Sequence, residues 1–314
     1  MKKIVLLSLA LLLVGLSPAQ TPPPKIELKA LPKVTVSVLV ENMAGSAPTL
    51  DAPVLGEWGL SLFIDTDQHR ILLDTGAGNV LINNARAMGI DLAKTEALVI
   101  SHEHFDHTGG LEKLLQAAGP MDLFVSPEAF GAKYFKAGPR AVKHVMPLSP
   151  EQLRVRVRKL VETREPTLIC DGVMVTGQIP RVIDFEDTGL VGRAFLDEEC
   201  KIPDPILDDQ AIFFRVPEGL VILLGCGHAG LVNTIRYVSE LLAEPRIYAV
   251  IGGTHLIGAS PDRLQKTIEA LKKYDVQKIM LAHCTGVQSY VELAKALPGR
   301  CFWPATGSRI RFGK

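Results

Sequence analysis

The sequence predicts an α/β fold built as a layered sandwich, and three observations point there. Strand-length apolar runs alternate with helix-like segments along most of the chain. The runs 60–65 and 70–74 are close enough in sequence to pair as a hairpin, which makes part of the sheet antiparallel. Two strand–helix–strand units close the chain, which makes another part parallel. With 314 residues, 47% of them hydrophobic and 22% charged, the chain can bury a sizeable core.

The elements follow in order. Lys2 and Lys3 precede an apolar run from Ile4 to Leu16, and Ser17-Pro18-Ala19 offers small residues for cleavage after Ala19. Residues 1–19 therefore read as a secretory signal peptide, since the apolar run is shorter than the roughly 20 residues of a spanning helix. An uncleaved anchor is the competing reading. The expectation is a periplasmic or extracellular protein with no stable membrane insertion after cleavage. Residues 20–33, with Thr21-Pro22-Pro23-Pro24, read as a stiff Pro-rich linker, and 34–314 as the folded domain. That domain opens on the alternating strand Val34–Val40.

After the hairpin, Thr75-Gly76-Ala77-Gly78 breaks the chain sharply, and Asn79 to Met88 reads as a helix stopped by Gly89. Strand 97–101, helix 108–118 and strand Asp122–Val125 come next. Residues 127–166, rich in Pro, Arg and Lys, read as an irregular insertion lying over one face, with His144 a surface or substrate-side residue. Strands are expected at 173–176, 211–216, 220–225, 247–251 and 278–282, and helices at 231–243 and 263–274.

Charge narrows the function. Lys plus Arg and Asp plus Glu are both 34, so the net charge is zero and no polyanion-binding surface is implied. The expected partner is a small-molecule substrate, not a nucleic acid. Arg154–Lys159 is the densest basic run, but it alternates with apolar residues as a half-buried edge does. Five cysteines (170, 200, 226, 284 and 301) allow two disulfides in an exported protein and leave at least one thiol unpaired, Cys226 being the candidate.

The chemistry concentrates in Ser101-His102-Glu103-His104-Phe105-Asp106-His107, which follows the apolar run Ala97–Ile100. Three imidazoles and a carboxylate at a strand-to-helix corner point metal-binding side chains at one small volume. Four further polar clusters end apolar strands: Asp74-Thr75-Gly76, Gly225-Cys226-Gly227-His228, Gly252-Gly253-Thr254-His255 and His283-Cys284-Thr285-Gly286. Ligands on several strand ends around one rim are what a rigid two-metal site needs.

On these residues the sequence resembles the metallo-β-lactamase superfamily, with Asp74 and Gly76 as its first motif and 102–107 as its second. Further stretches resemble the dihydropteroate-synthase-like branch: Glu57-Trp58-Gly59-Leu60-Ser61, Thr176 to Arg181, Asp208-Asp209-Gln210-Ala211, Gly225 to Gly230 with Asn233-Thr234, and His283 to Gly286. That branch is named for an archaeal enzyme that joins a pterin to a ribofuranosyl-aminobenzene phosphate. The resemblance implies an αββα four-layer sandwich and two divalent metal ions, zinc first and iron or manganese as alternatives. It places His102, His104 and His228 on one metal, and Asp106, His107 and His283 on the other. His228 stands in for a third histidine whose usual position falls near Gln178. Cys226 occupies the place of a bridging Asp and is either a thiolate ligand or a small residue packed between glycines. Asp74 fixes an imidazole tautomer, caps the turn at Thr75-Gly76, or does both. His255 is a ligand, a general acid or a structural residue.

Four residues are candidates for substrate contact, each with a structural alternative. Arg181 clamps a phosphate or carboxylate, or forms a surface salt bridge. Asp208 and Asp209 bind substrate, or form a solvated turn. Asn233 bonds substrate, or caps the following helix.

Two adjacent metals favour hydrolysis of an ester-, lactone- or phosphate-type substrate by a metal-bound hydroxide. The branch instead implies a transferase that forms a C–N bond with loss of pyrophosphate. Both reactions need positive charge beside a developing negative oxygen. Because reduced pterin phosphates are cytoplasmic, the export signal favours the hydrolase. A non-catalytic metal-binding module is the third reading.

Overall fold

The computed structural model describes residues 25–45 and 53–314. The expected signal peptide lies outside the described residues.

Two sheets face each other. One has seven strands in the order Arg309–Gly313, Lys33–Val40, Ser61–Asp65, Arg70–Leu73, Ala97–Val99, Asp122–Val125 and Lys159–Glu162. The other has six, ordered Lys278–Leu281, Ile247–Gly252, Gly219–Leu224, Ala211–Val216, Val173–Val175 and Thr167–Cys170. The expected hairpin is present, with Leu62 opposite Leu73 and Asp65 opposite Arg70. The closing strand–helix–strand units run parallel, as expected.

Side chains alternate across each strand, which sorts the apolar residues into three layers. Val34, Val36, Val38, Leu62, Ile64, Ile71 and Leu73 meet Ile212, Phe214, Val221 and Leu223 between the sheets. Phe63, Leu72, Leu98 and Ile100 point outward, under the helices Leu81–Ala87 and Leu111–Ala118. Phe213, Leu220, Ile222 and Leu224 point outward from the second sheet, under Leu231–Leu242 and Pro261–Lys273. Strands buried on both faces read as continuous apolar runs, and that is why these were legible. The architecture is the expected four-layer αββα sandwich.

Two expectations need correcting. Residues 25–32 are not a free linker: Ile26 N–H bonds Leu241 O at 2.7 Å, Leu31 N–H bonds Arg215 O at 2.8 Å, and Leu28 and Leu31 are buried. Their apolar side chains cover the margin of the second sheet. Nor is 127–166 irregular. Lys133–Ala137 and Arg140–His144 form a hairpin that joins Ala194–Phe195 in a small third sheet. Ser149-Pro150 opens the helix Pro150–Arg154 with a capping box to Gln152. Lys159–Glu162 is the edge of the seven-stranded sheet, and an edge tolerates the polar residues that hid it. All five cysteines are free thiols, so no disulfide forms.

Candidate metal centre

The strand ends converge at one rim. Asp106, His107, Cys226 and His283 bring one donor atom each to within 4.8 Å of one another. His102, His104 and His228 do the same, and Cys226, His228 and His255 make a third such group. Cys226 and His228 therefore link the groups. Segments up to 181 residues apart, His102 to His283, share one site.

Four imidazoles have their tautomer fixed from behind. His107 Nδ1 lies 2.7 Å from Asp74 Oδ2 and donates to it. Ser101 Oγ gives its proton to the same carboxylate oxygen at 2.7 Å, so it accepts from His102 Nδ1 at 2.9 Å. His228 Nδ1 donates to the Thr188 carbonyl. His283 Nδ1 donates to Asn42 Oδ1 at 2.9 Å, an oxygen that also accepts Gly59 N–H. In each ring the Nε2 lone pair is left facing the site, as a metal requires. His228 Nε2 and His283 Nε2 are buried with no hydrogen-bond partner. A buried lone pair without a partner is costly, and a cation there would satisfy it. His102 Nε2 and His104 Nδ1 point at each other across 3.0 Å. Asp106 Oδ2 stands 3.2 Å from His283 Nε2, and Cys226 Sγ 3.1 Å from His107 Nε2.

Electrostatics agree with this donor set. Burial and neighbouring imidazoles push His102 and His228 well below their ordinary pKa, and burial takes His104 down to about 3. These rings stay neutral, which is the metal-binding form. His107 is the exception: burial opposes its charge, but Asp74 and Asp106 outweigh it and raise the ring to about 9, so coordination there would have to displace a proton from Nε2. Burial pushes the Cys226 thiol well above its ordinary value. Only a cation would ionise it, because coordination deprotonates a thiol outright. The donors thus suit divalent cations.

Three site residues adopt left-handed backbone that favours glycine: Asp74 (φ 60°), His255 (φ 46°) and His283 (φ 54°). Each costs about 1–3 kcal/mol unless its surroundings enforce it. Asp74 N–H is held by Val99 O at 2.9 Å, and His283 N–H by Glu41 Oε1 at 2.9 Å. His255 N–H faces Cys284 Sγ at 3.3 Å, and its ring centre lies 4.4 Å from that of His228. Asp74 orients the His107 imidazole, as one expectation had it, but does not cap the turn. Its carboxylate otherwise accepts Ser101 N–H and Ser101 Oγ, while Thr75 N–H bonds His107 O and Gly76 N–H bonds Leu60 O.

The substrate candidates have other partners. Asp208 accepts Lys133 Nζ at 2.8 Å and Glu103 N–H at 2.8 Å, and is fully buried. Arg181 spends its guanidinium on the carbonyls of His228 and Ile206, bracing the loop behind the site. Asn233 accepts Val182 and Ile183 N–H and donates to Ala229 O, tying two loops together without capping its helix. Asp209 accepts Ala229 N–H at 2.7 Å, and burial pushes it up to about 7. Asp208, Arg181 and Asn233 are thus engaged by the protein, Asp209 Oδ1 is buried with no hydrogen-bond partner, and neither Asp is a solvated turn residue. Gln178 is exposed and in none of the clusters, whereas His228 is buried and in two of them.

Sequence reasoning missed Glu41, Asn42, Ser101 and Thr188, which hold the ligands from behind. Glu41 carried a signal: it is a charged residue ending the apolar strand Lys33–Val40, as the ligands do elsewhere. Its second oxygen accepts Trp303 Nε1 at 3.2 Å.

The family model described as "Metallo-beta-lactamase superfamily" matches residues 59–237. The 7,8-dihydropterin-6-methyl-4-(beta-D-ribofuranosyl)-aminobenzene-5'-phosphate synthase of Methanocaldococcus jannaschii is 30% identical over 268 residues, 82% of this chain and 89% of the synthase. The chain belongs to the metallo-beta-lactamase superfamily. Within the superfamily it resembles the crystal structure of Tm1679, a metal-dependent hydrolase, at 25% identity and a TM-score of 0.73, covering 90% of this chain and 100% of that one. The metallo-beta-lactamase fold protein YhfI from Bacillus subtilis, 12% identical, aligns with a TM-score of 0.53 over 88% of this chain and 99% of its own. Divalent metals are usual in this superfamily, and the His, Asp and Cys clusters here suit them.

Two predictions arise at this rim. A Cβ added at Gly225 would overlap Ser101 Oγ and Cβ and press on Asp74. Gly225→Ala is therefore expected to lose about 1–3 kcal/mol of stability, with weaker metal retention. Urea denaturation and elemental analysis check it; an unperturbed variant would show that the Ser101–Asp74 contact is dispensable. The second concerns Glu186, which accepts Val232 and Asn233 N–H at 2.8 Å at the start of helix Leu231–Leu242. Burial outweighs these bonds and lifts it from 4.5 to about 6. A raised folded pKa means that its contribution is fully present below 4.5 and lost as pH rises through 6. The loss is about 2 kcal/mol at 1.36 kcal/mol per unit. Glu186→Gln should flatten this part of the stability profile between pH 4.5 and 7, and parallel profiles would contradict the assignment.

Proposed function

We propose that this chain is a binuclear-metal-dependent hydrolase of ester-, lactone- or phosphate-type small molecules, acting after export. One observation carries the reading: two adjoining donor groups linked by Cys226, with their imidazoles oriented from behind. Two divalent cations bound there would lower the pKa of a water and stabilise negative charge developing on oxygen.

The chain's own residues do the rest. His102, His104 and His228 would hold one cation, and Asp106, His107, His283 and Cys226 the other. Asp74 keeps His107 in the ligating tautomer and, through Ser101, does the same for His102. His255, its ring centre 4.4 Å from that of His228 and one of its nitrogens in a donor group with His228 and Cys226, would act as a further ligand or as a proton donor to a leaving group. The leader over residues 1–19 supports export.

A second reading is C–N bond formation as in the pterin branch, and the 30% identity to the synthase over most of both chains favours it. Both readings use the same electrostatics, so one experiment serves them. Protein purified from its native compartment is analysed for metal, then assayed on phosphodiesters, lactones and thioesters, with and without an amine acceptor. Two equivalents of zinc and product from water support hydrolysis; product formed only with the amine supports the transferase. Equal turnover by chelator-treated protein would overturn both. Exported material whose N-terminal sequence still begins at Met1 would refute cleavage.

A further inference from the structure

We propose that the outer face of the seven-stranded sheet carries a second ligand site, a cradle for a small tetrahedral dianion of the phosphate type. It lies away from the metal centre and uses none of its donors.

Strand alternation builds the cradle. Val36, Val38, Ile310 and Phe312 fill the space between the sheets, so Thr35, Ser37, Arg309 and Arg311 face outward. Thr35 stands opposite Arg311, and Ser37 opposite Arg309, in one antiparallel pair. On the other side Thr35 meets Asp65 and Ser37 meets Phe63. Residues 89–91, which follow the helix Leu81–Ala87, wall these rows into a cavity of about 440 Å³. That volume suits a small ligand. Arg70 also lines the cavity and opens the strand whose far end delivers Asp74 to the metal rim. At about 3.3 Å per residue, roughly 13 Å of strand separates Arg70 from Asp74.

Charge singles this cavity out. Five cationic side chains line it against three carboxylates, an excess of two positive charges in a chain whose net charge is zero. The carboxylates are already answered: Asp67 by Lys33 at 3.0 Å, Asp65 by Arg70 at 3.6 Å and Asp91 by Lys94 at 3.8 Å. The surplus is therefore the arginine pair. Arg309 gives one nitrogen to Met88 O, which leaves most of its guanidinium unspent. Arg311 makes no hydrogen bond or ion pair through its side chain among the described residues. Neither do the hydroxyls of Thr35 and Ser37, although Ser37 is only 4% exposed.

Two guanidiniums two positions apart on one strand face start about 7 Å from each other and repel. A dianion between them turns that repulsion into attraction, and the guanidinium fork matches a tetrahedral oxyanion through paired N–H bonds. The two hydroxyls lie directly across the strand pair, with Cβ atoms within about 5.5 Å of those of the arginines, and can donate to the same anion.

Equilibrium dialysis of labelled inorganic phosphate tests the cradle, on the zinc-loaded full chain and on the same chain after chelator treatment, at physiological salt. Saturable binding is expected in both, because the cradle needs no metal. Arg311→Gln removes charge-assisted hydrogen bonds and should weaken that binding about 10-fold or more, with zinc content unchanged. Ser37→Ala should weaken it about 3-fold, as loss of one hydrogen bond does. Binding that vanishes with the zinc, or that both variants leave intact, would assign the phosphate to the metals and overturn the cradle. Binding abolished by chloride at physiological concentration would reduce it to an unspecific basic surface and overturn it equally.

Discussion

His228→Ala is expected to retain at most half of the parent's bound metal and to lose at least about 10³-fold in turnover. The magnitude follows from the several kcal/mol of charge stabilisation that a catalytic metal supplies, at 1.36 kcal/mol per tenfold. His228 is the sharpest position to test because it stands where the usual ligand pattern is broken. Its Nδ1 is committed to the Thr188 carbonyl, so Nε2 has no role except to face His102 and His104. Gln178→Ala is the control and should leave metal content unchanged, since that residue is exposed and in none of the donor groups. Metal content is measured after gel filtration at low free zinc. A His228→Ala protein with full loading would remove His228 from the centre and leave His102 and His104 short of a third donor.

The ligand rim was legible because its signal is local. Three histidines and an aspartate within six residues need no partner from elsewhere to stand out, and His228, His255 and His283 each follow a buried strand beside glycine. The sandwich was legible for the same reason, since strands covered on both faces are written in unbroken apolar runs. The roles of Asp208, Arg181 and Asn233 were not, because a polar residue near a site looks alike whether it meets substrate or protein. Asp208 meets Lys133, 75 positions earlier, and no spacing rule records that. The hairpin at 133–144 was hidden by its half-exposed strands, whose mixed composition matches a loop as well as a sheet.

That hairpin makes the strongest stability prediction. Lys133 is buried with Nζ 2.9 Å from Glu103, 2.8 Å from Asp208 and 3.6 Å from Asp204. Burial opposes its charge, but the carboxylates prevail and raise its pKa. Burial and Asp208 push Glu103 well above its ordinary value, so the lysine is what lets these acids share one pocket. Lys133→Met should therefore cost about 3–5 kcal/mol, most of it from stranding buried carboxylates. Adding Glu103→Gln and Asp208→Asn to that variant should restore much of the loss, because it neutralises the two carboxylates nearest the lysine and leaves only Asp204, at 3.6 Å, without its partner. Glu103 lies between His102 and His104, and His144 on the same hairpin bonds the Glu103 carbonyl at 2.8 Å. Weaker metal retention should accompany the instability of Lys133→Met and recover with it in the triple variant. Urea denaturation and metal analysis of the three proteins decide the matter. A triple variant as unstable as Lys133→Met would mean that the network stabilises the fold through its charges, not merely by tolerating them.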